Sequence, residues 1–565
     1  MGHIEEILAI LNRLYDPDDA AAACKRIESL LSYHGGKEPK ESASRFSQND
    51  VVLITYADSL NEPGRVPLRV MGDFARRFLK EGFSAIHFLP FFPYSSDDGF
   101  SVIDYLALNP SVGQWGDVVP FSADFDLMFD YVLNHISAKS QWFESYLAQE
   151  PPFTELAHAI DPNTDLSKVT RPRALPLLTP FARSDDETVH LWTTFSEDQI
   201  DLNYKSIDIL IKMIEVLLFY VEKGARLLRL DAVAYLWKEI GTSCIHLDQT
   251  HDMVRLLRKI LDAVAPESII ITETNVPHDE NISYFGDGFN EAQMVYNFTL
   301  PPLLLHTFLS EDAGEFSRWA DNLGTPSDET TFFNFTASHD GIGVRPVEGI
   351  LSAKQVERLI QTVQKNGGQV SYKQNPDGSR SPYELNITYV DALRRDDGMD
   401  AERFLASQSI QAALPGVPGI YIHSLLGSRN WLEGVAQTGR ARTINRQKLQ
   451  VQPVVDELQN QESFRSRVFH PYIHLLRVRR AQEAFHPNAA FEILRLDRRV
   501  VAIQRQTQHQ RIFALVNISC ETATVSLVSQ SGTDRLNELL TGRQVPTDRI
   551  DLAPYQTVWL SNVHP

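Results

Sequence analysis

The chain has 565 residues, 43% of them hydrophobic, and 73 acidic against 53 basic side chains give it a formal net charge of −20. That length predicts several domains around a large core, and the acidic balance argues against nucleic acid, whose binding needs a basic surface. No apolar run of about 18 residues marks a membrane span, the start Met-Gly-His-Ile-Glu-Glu lacks the blocks of a signal peptide, and three distant cysteines (Cys24, Cys244, Cys520) suggest neither a disulfide framework nor a zinc site, so the expectation is a cytoplasmic protein with reduced core cysteines.

Residues 1–48 read as a helical extension: Ile4, Ile7, Leu8, Leu11 and Leu14 fall at helical spacings, and Asp16-Pro-Asp-Asp19 breaks the chain before an alanine-rich second helix. A first barrel part, 49–135, holds the apolar runs Val51–Asp58 and Gly82–Pro90, the aromatic and acidic loop Phe91–Phe100, and a third strand in Phe125–His135. From 136 to 200 periodicity fades and prolines cluster around Thr170-Arg-Pro-Arg173, which predicts a small excursion domain. The barrel middle, 201–344, brings the runs Gly224–Tyr235, Ser268–Asn275 and Thr331–Gly343; between the first two, Gly241–His251 opens a helix with Thr250 and Asp252 as capping residues. A second insertion, 345–400, carries the turn signal Asn375-Pro-Asp-Gly378. Residues 401–484 end the barrel, with Gly419–His423 as strand eight, and 485–565 alternate apolar and polar as an antiparallel β-domain does, in Arg499–Gln504 and Arg511–Asn517. The expected class is α/β: a (β/α)8 TIM barrel with inserted excursion domains, an N-terminal helical extension and a C-terminal antiparallel β-domain.

A strand buried on both faces should be almost continuously apolar, so Arg229 and Asp231, two apart and on one face, need a reason. One reading is a structural ion pair; the other is a nucleophilic carboxylate kept ionised by its arginine, since an opposite charge lowers a carboxylate's pKa. Glu273 ends the next run, and His339-Asp340 ends the one after. Acids at the C-terminal ends of three successive strands mark the catalytic face of such a barrel. Glu273 has no cation adjacent in sequence, which suits a protonated acid. A retaining glycosyl transfer needs such an ionised and protonated pair, about 5 to 5.5 Å apart.

Together with Asp130-Tyr-Val-Leu-Asn-His135, the set Arg229-Leu-Asp231, Glu273 and His339-Asp340 resembles, in order, the four signature regions of the α-amylase superfamily, over roughly residues 50–560. Gly341-Ile-Gly-Val344, Phe298–His306 and Gly241-Thr-Ser-Cys244 resemble its sucrose-phosphorylase subfamily. That resemblance implies a retaining glycoside phosphorylase: Asp231 the nucleophile, Glu273 the acid and then base, Asp340 on the 2- and 3-hydroxyls, with inorganic phosphate taking the glucosyl group to give α-D-glucose 1-phosphate. It implies a small-molecule glucoside and phosphate as the only partners, with no cofactor, metal, nucleic acid or membrane, and leaves a homodimer open. Asp97, three positions before Phe100, would bind distal hydroxyls of the glucosyl ring with Arg442, and Phe100 would stack on that ring. His135, otherwise a satisfied core histidine, would bind a hydroxyl as neutral imidazole, near Arg229 and His339. Arg171 and Arg173 are candidates for anion recognition beside the acceptor, against a plain solubilising role.

On the acceptor side the sequence departs from sucrose phosphorylases: Asn275 stands where they carry a histidine, His278 lies three further on, and Glu384 in Tyr383-Glu-Leu-Asn386 replaces a glutamine. The extension, Trp431-Leu-Glu-Gly434 and Gly439–Arg446 resemble glucosylglycerate phosphorylases first and glucosylglycerol phosphorylases second. Glu384 sits awkwardly with an acid acceptor, which an ionised glutamate would repel. Phosphate use rests on the resemblance alone; an α-glucosidase would use the same acids, and a non-catalytic scaffold is a third reading. A calcium-dependent amylase is disfavoured, because the excursion shows no obvious oxygen cluster beyond Asn134.

Overall fold

Eight short apolar runs pair in parallel and close on themselves in the computed structural model, which describes residues 2–35, 45–173, 175–184, 187–375 and 378–563. They are β1 (Val52–Thr55), β2 (Ala85–Phe88), β3 (Asp126–Tyr131), β4 (Ala225–Leu230), β5 (Ile269–Thr272), β6 (Met294–Tyr296), β7 (Thr331–Phe335) and β8 (Val417–Tyr421). Spatial order is chain order, and β8 returns to β1. The strands are almost wholly buried because helices cover the outside, as a parallel barrel requires.

Three details differ from expectation. A sixth strand, β6, stands between the strand of Glu273 and that of His339-Asp340, so the three acids follow β4, β5 and β7 and not three successive strands. At three residues it is too short to show a period. Strand β3 stops at Tyr131, and His135 opens a separate short strand, His135–Ser137, paired antiparallel with Gln199–Asp201. Finally, β8 runs Val417–Tyr421 and turns into the helix Ile422–Leu425, which takes His423 out of the strand.

The N-terminal helices α1 (Gly2–Leu14) and α2 (Pro17–His34) bury Ile7, Ile10 and Leu11, and Ala20, Ala23, Cys24, Ile27 and Leu31. They pack on α3 (Ile207–Glu222) and α4 (Asp248–Val264), the helices before and after β4. Arg13 of α1 pairs with Asp252 at 2.6 Å. Asp252 and Thr250 therefore lie inside α4, not at its cap; Leu247 holds that place, and the Thr250 hydroxyl faces the Trp237 N–H.

Beyond β7, the hairpin Gln369–Gln374 and Arg380–Asn386 pairs with Ile342–Gly343 and brings Tyr383 and Glu384 over the barrel mouth. Residues 36–44 of the extension, Ala174 of the proline-rich stretch and Pro376-Asp377 of the turn signal lie outside the described residues. The chain ends in a six-stranded antiparallel sheet spanning Ala490–Leu494 to Thr557–Ser561, with two further short strands beside it. Cys24 and Cys244 are buried, but Cys520 is exposed, because it falls in a turn of this last domain and not in its core. Among the described residues no helix is long and apolar enough to cross a membrane.

Candidate active site

Parallel register places Asp130 of β3 beside Arg229 of β4 at the barrel's C-terminal face. His87 of β2 donates from Nε2 to Asp130 (2.7 Å), and Arg229 donates to Asp130 and, at 2.9 Å, to Asp231. The other end of the same guanidinium lies 3.8 Å from Glu273. One arginine thus sits between the carboxylates of Asp231 and Glu273. After Asp231 the backbone of Ala232 is left-handed (φ 52°), a conformation costly for a residue with a Cβ, and the turn aims its N–H at the Glu273 carboxylate, 3.1 Å away.

The electrostatics correct the sequence argument. Burial raises Asp231, and although Arg229 opposes it, the negative charges of Asp130 and Asp340 add to the rise, which carries the group up to about 7. Glu273, also raised first by burial and then by Asp231 and Asp340 against Arg229, reaches about 7 as well. The arginine beside Asp231 does not hold it low, and Glu273 is not free of a cation. Two such acids in one site titrate as a pair and hold one proton between them near neutrality. Arg229 is nearer to Asp231, at 2.9 Å, than to Glu273, at 3.8 Å, which favours the shared negative charge on Asp231.

Asp340 behaves differently. Burial alone would raise it, but Arg442 at 2.6 Å, then His339, Arg446 and Arg229, hold its carboxyl well below the ordinary range. His339 is pushed down to about 3, chiefly by burial, and is neutral; Phe100 stacks on it with ring centroids 4.6 Å apart. His135, likewise lowered first by burial, donates from Nε2 to the Phe100 carbonyl at 2.9 Å. The loop before Phe100 is strained: Asp97 and Asp98 have φ of 53° and 50°, and Gly99 is required because a Cβ would lie 2.5 Å from the Pro90 carbonyl.

Arg446 forms the ion pairs with this loop, while Arg442 lines the pocket beside Asp97. The Arg446 guanidinium lies 2.6 Å from Asp98, 3.7 Å from Asp97 and 3.5 Å from Asp340, while its Nε donates to the His339 carbonyl. Arg442 instead grips Glu384 at 2.9 and 3.1 Å and Asp340. Glu384 also accepts the Gly341 N–H, so its carboxylate is compensated by Arg442 and by the backbone together. Arg442 and Arg446, four positions apart, offer sequence alignment two arginines to choose from, and only the fold separates their contacts.

Asp97, Phe100, His135, Arg173, Asp231, Glu273, Asn275, His339, Asp340, Glu384 and Arg442 line one pocket of about 760 Å³, with Arg229 at its base. Two expected residues lie elsewhere. Arg171 is turned back on the Leu175 carbonyl, and His278, carried away by the helix His278–Ile282, faces a separate cleft with Trp319 and Glu348. Sequence reasoning missed Phe195, Gln199 and Tyr235 in the pocket wall, besides Arg446 and Asp98. Asn134 belongs to another tie: the Lys238 ammonium lies 2.6 Å from Asp201 and 3.0 Å from the Asn134 side-chain oxygen, and donates to the Tyr235 carbonyl. Among the described residues, no group of three or more His, Cys, Asp or Glu is placed to hold a metal ion.

With this geometry in hand, comparison places the chain among known proteins. Residues 77–323 match the alpha amylase catalytic domain. The chain is 45% identical to a glucosylglycerate phosphorylase of Escherichia coli (strain K12), over 98% of its own length and 100% of the relative's. It is 44% identical to another of Spirochaeta thermophila over 99% of each, and 31% identical to a sucrose phosphorylase of Agrobacterium vitis over 71% of this chain and 82% of that one. Among solved structures, sucrose 6F-phosphate phosphorylase from Thermoanaerobacter thermosaccharolyticum superposes with a TM-score of 0.73 at 26% identity, covering 83% of this chain and 94% of that one.

Proposed function

We propose that the chain, which belongs to the glucosylglycerate phosphorylases of the α-amylase superfamily, transfers an α-glucosyl group reversibly between glycerate and inorganic phosphate. The observation that carries this reading is the degree of likeness: the chain is 44–45% identical to glucosylglycerate phosphorylases over 98–99% of its length, against 27–31% to sucrose phosphorylases over 71–86% of it.

The geometry supplies a route. Asp231, ionised against Arg229, attacks the anomeric carbon of glucosylglycerate, and Glu273 gives its proton to the departing glycerate oxygen. A glucosyl ester on Asp231 and free glycerate result. Phosphate then takes the place of glycerate, Glu273 now accepts the proton of the attacking oxygen, and a second inversion gives α-D-glucose 1-phosphate with configuration retained. Asp340, held ionised by Arg442, binds ring hydroxyls whose hydrogen bonds strengthen as the oxocarbenium-like transition state forms. Phe100 closes the pocket beneath the ring, and Asp97 with Arg442 holds its far side, Arg446 pairing with Asp97 from behind.

The test is the reverse reaction. With glucose 1-phosphate as donor, glycerate, glycerol, fructose and fructose 6-phosphate are compared by phosphate release, and glycerate is expected to be the fastest acceptor. Faster use of glycerol would replace this reading with a glucosylglycerol phosphorylase. Free glucose formed from glucosylglycerate without phosphate would make the enzyme a hydrolase.

A further inference from the structure

The loop that brings Asp97 and Phe100 to the pocket has a backbone that must be held. Asp97 and Asp98 stand in the left-handed region, where a side chain with a Cβ is costly, and Gly99 follows with φ 115°. Arg446 grips the loop from one side, through Asp98 and Asp97. From the other side comes Asp198 of the excursion, a residue that the sequence did not single out. The hydroxyls of Ser95 and Ser101 donate to its Oδ2 at 2.6 and 2.8 Å, Ser96 donates to the same oxygen, and Ser137 lies 3.4 Å from Oδ1.

Three of those serines belong to the loop itself: Ser95 and Ser96 precede the left-handed pair, and Ser101 follows Phe100. One carboxylate therefore closes the loop at both ends. The backbone fixes the carboxylate in turn, because the Asp198 carbonyl accepts the Ala138 N–H at 3.0 Å and the Ser137 N–H donates to the Val102 carbonyl at 2.8 Å. Among the described residues no ion pair joins Asp198, so hydroxyls answer its charge, and bonds from hydroxyls to an ionised carboxylate are short and strong. Gln199, the next residue, lines the pocket. A staple of purely structural use would have no reason to converge on the one loop whose strained residues face the sugar.

Resting on the glucosyl-transfer reading above, we propose that Asp198 is a positioning residue for the donor sugar: it clasps Ser95–Ser101 into the left-handed form that presents Asp97 and Phe100 to the glucosyl ring. Without the clasp the loop relaxes out of its costly conformation, and both side chains leave the ring although neither has been changed. Asp231 and Glu273 stand on other loops and keep their places. The excursion thus sets the donor side of the pocket as well as its wall.

The experiment measures kcat and KM for glucose 1-phosphate, with glycerate saturating, in the wild type, Asp198→Ala, Asp198→Asn, Asp97→Ala and the double variant Asp97→Ala with Asp198→Ala, and follows thermal unfolding alongside. Asp198→Ala should raise this KM about tenfold or more, with a smaller fall in kcat, and should leave the preference for glycerate over glycerol as it is in the wild type. Asp198→Asn, whose amide oxygen still accepts from the serines, should recover most of the loss. Once Asp97 is gone the clasp has less to position, so adding Asp198→Ala to Asp97→Ala should raise KM by only about threefold or less. A lower kcat with KM unchanged, the mark of a structural loss alone, overturns the proposal. So does an undiminished effect in the Asp97→Ala background, or a changed acceptor preference. Should Asp198→Ala fail to fold, Ser96→Ala decides: it removes one hydroxyl of the clasp and should raise KM about two- to fivefold, and an unchanged KM rejects the clasp. If the wild type releases no phosphate from glucose 1-phosphate with any acceptor, the transfer reading itself fails, whatever the variants do.

Discussion

The two ends of the pocket use the same residue types and settle their charges differently. Around Asp340 each charge has an answer: Arg442 and Arg446 hold the carboxylate ionised, Arg446 reaches on to Asp98, and His339 stays neutral between them. Around Asp231 and Glu273 one arginine serves two acids, and burial outweighs it, so both rise to about 7. Satisfied charges have fixed positions and fixed protonation, which is what binding a sugar ring requires. The underserved pair keeps a proton that can move, which is what acid–base chemistry near neutrality requires.

Removing the ionising member should break the contrast most. Asp231→Asn is expected to lower kcat by a factor on the order of 10⁴ or more, measured as phosphate release from glucose 1-phosphate with glycerate, and a variant of near-normal rate would end the nucleophile assignment. Next in size, Glu273→Gln should cost about 10² to 10⁴ in rate with glucosylglycerate, yet much less with α-glucosyl fluoride, whose leaving group needs no proton. Equal losses on the two donors would remove its role as acid. At the paired end the effect should be smaller and of another kind: Arg446→Lys should lower kcat/KM for glucose 1-phosphate by about 10- to 100-fold, the weight of one or two charge-assisted hydrogen bonds, with most of the change in KM.

The smallest effect sharpens the comparison through pH. Acids whose pKa is raised on folding bind protons that the unfolded chain has already released, so their contribution to stability is complete below about pH 4 and is lost as pH rises through about 7. Asp231→Asn should therefore unfold at a higher temperature than the wild type at pH 8, by on the order of 2 °C, and this advantage should shrink towards zero by pH 4. Asp340, lowered on folding, has the opposite sign: Asp340→Asn should be the less stable chain at pH 8. If both variants shift the same way, the two ends do not differ as described.

What was legible in the sequence were residues set against their background. A charge at the end of an apolar run stands out, which is why Asp231, Glu273 and Asp340 could be chosen from the chain alone and why the fold brings them to one pocket. Residues whose role depends on a partner far along the chain left no such mark. Arg446 competes with Arg442 four residues away, and His278 looked close to Glu273 in sequence although a helix carries it to another cleft. The pKa order failed for a related reason: adjacency in sequence counted Arg229 as the partner of Asp231 only, and said nothing of burial or of Asp130.

Lys238 has a consequence for how the excursion stays attached. Its ammonium joins Asp201 and Asn134, bringing the strand Gln199–Asp201 and the chain beyond β3 to one point behind the pocket wall. A free ion in that place would have an affinity, and the tie would weaken on dilution or on dialysis. A side-chain ammonium has instead a fixed local concentration, so the tie behind the wall that carries Gln199 and Tyr235 is made by the chain itself.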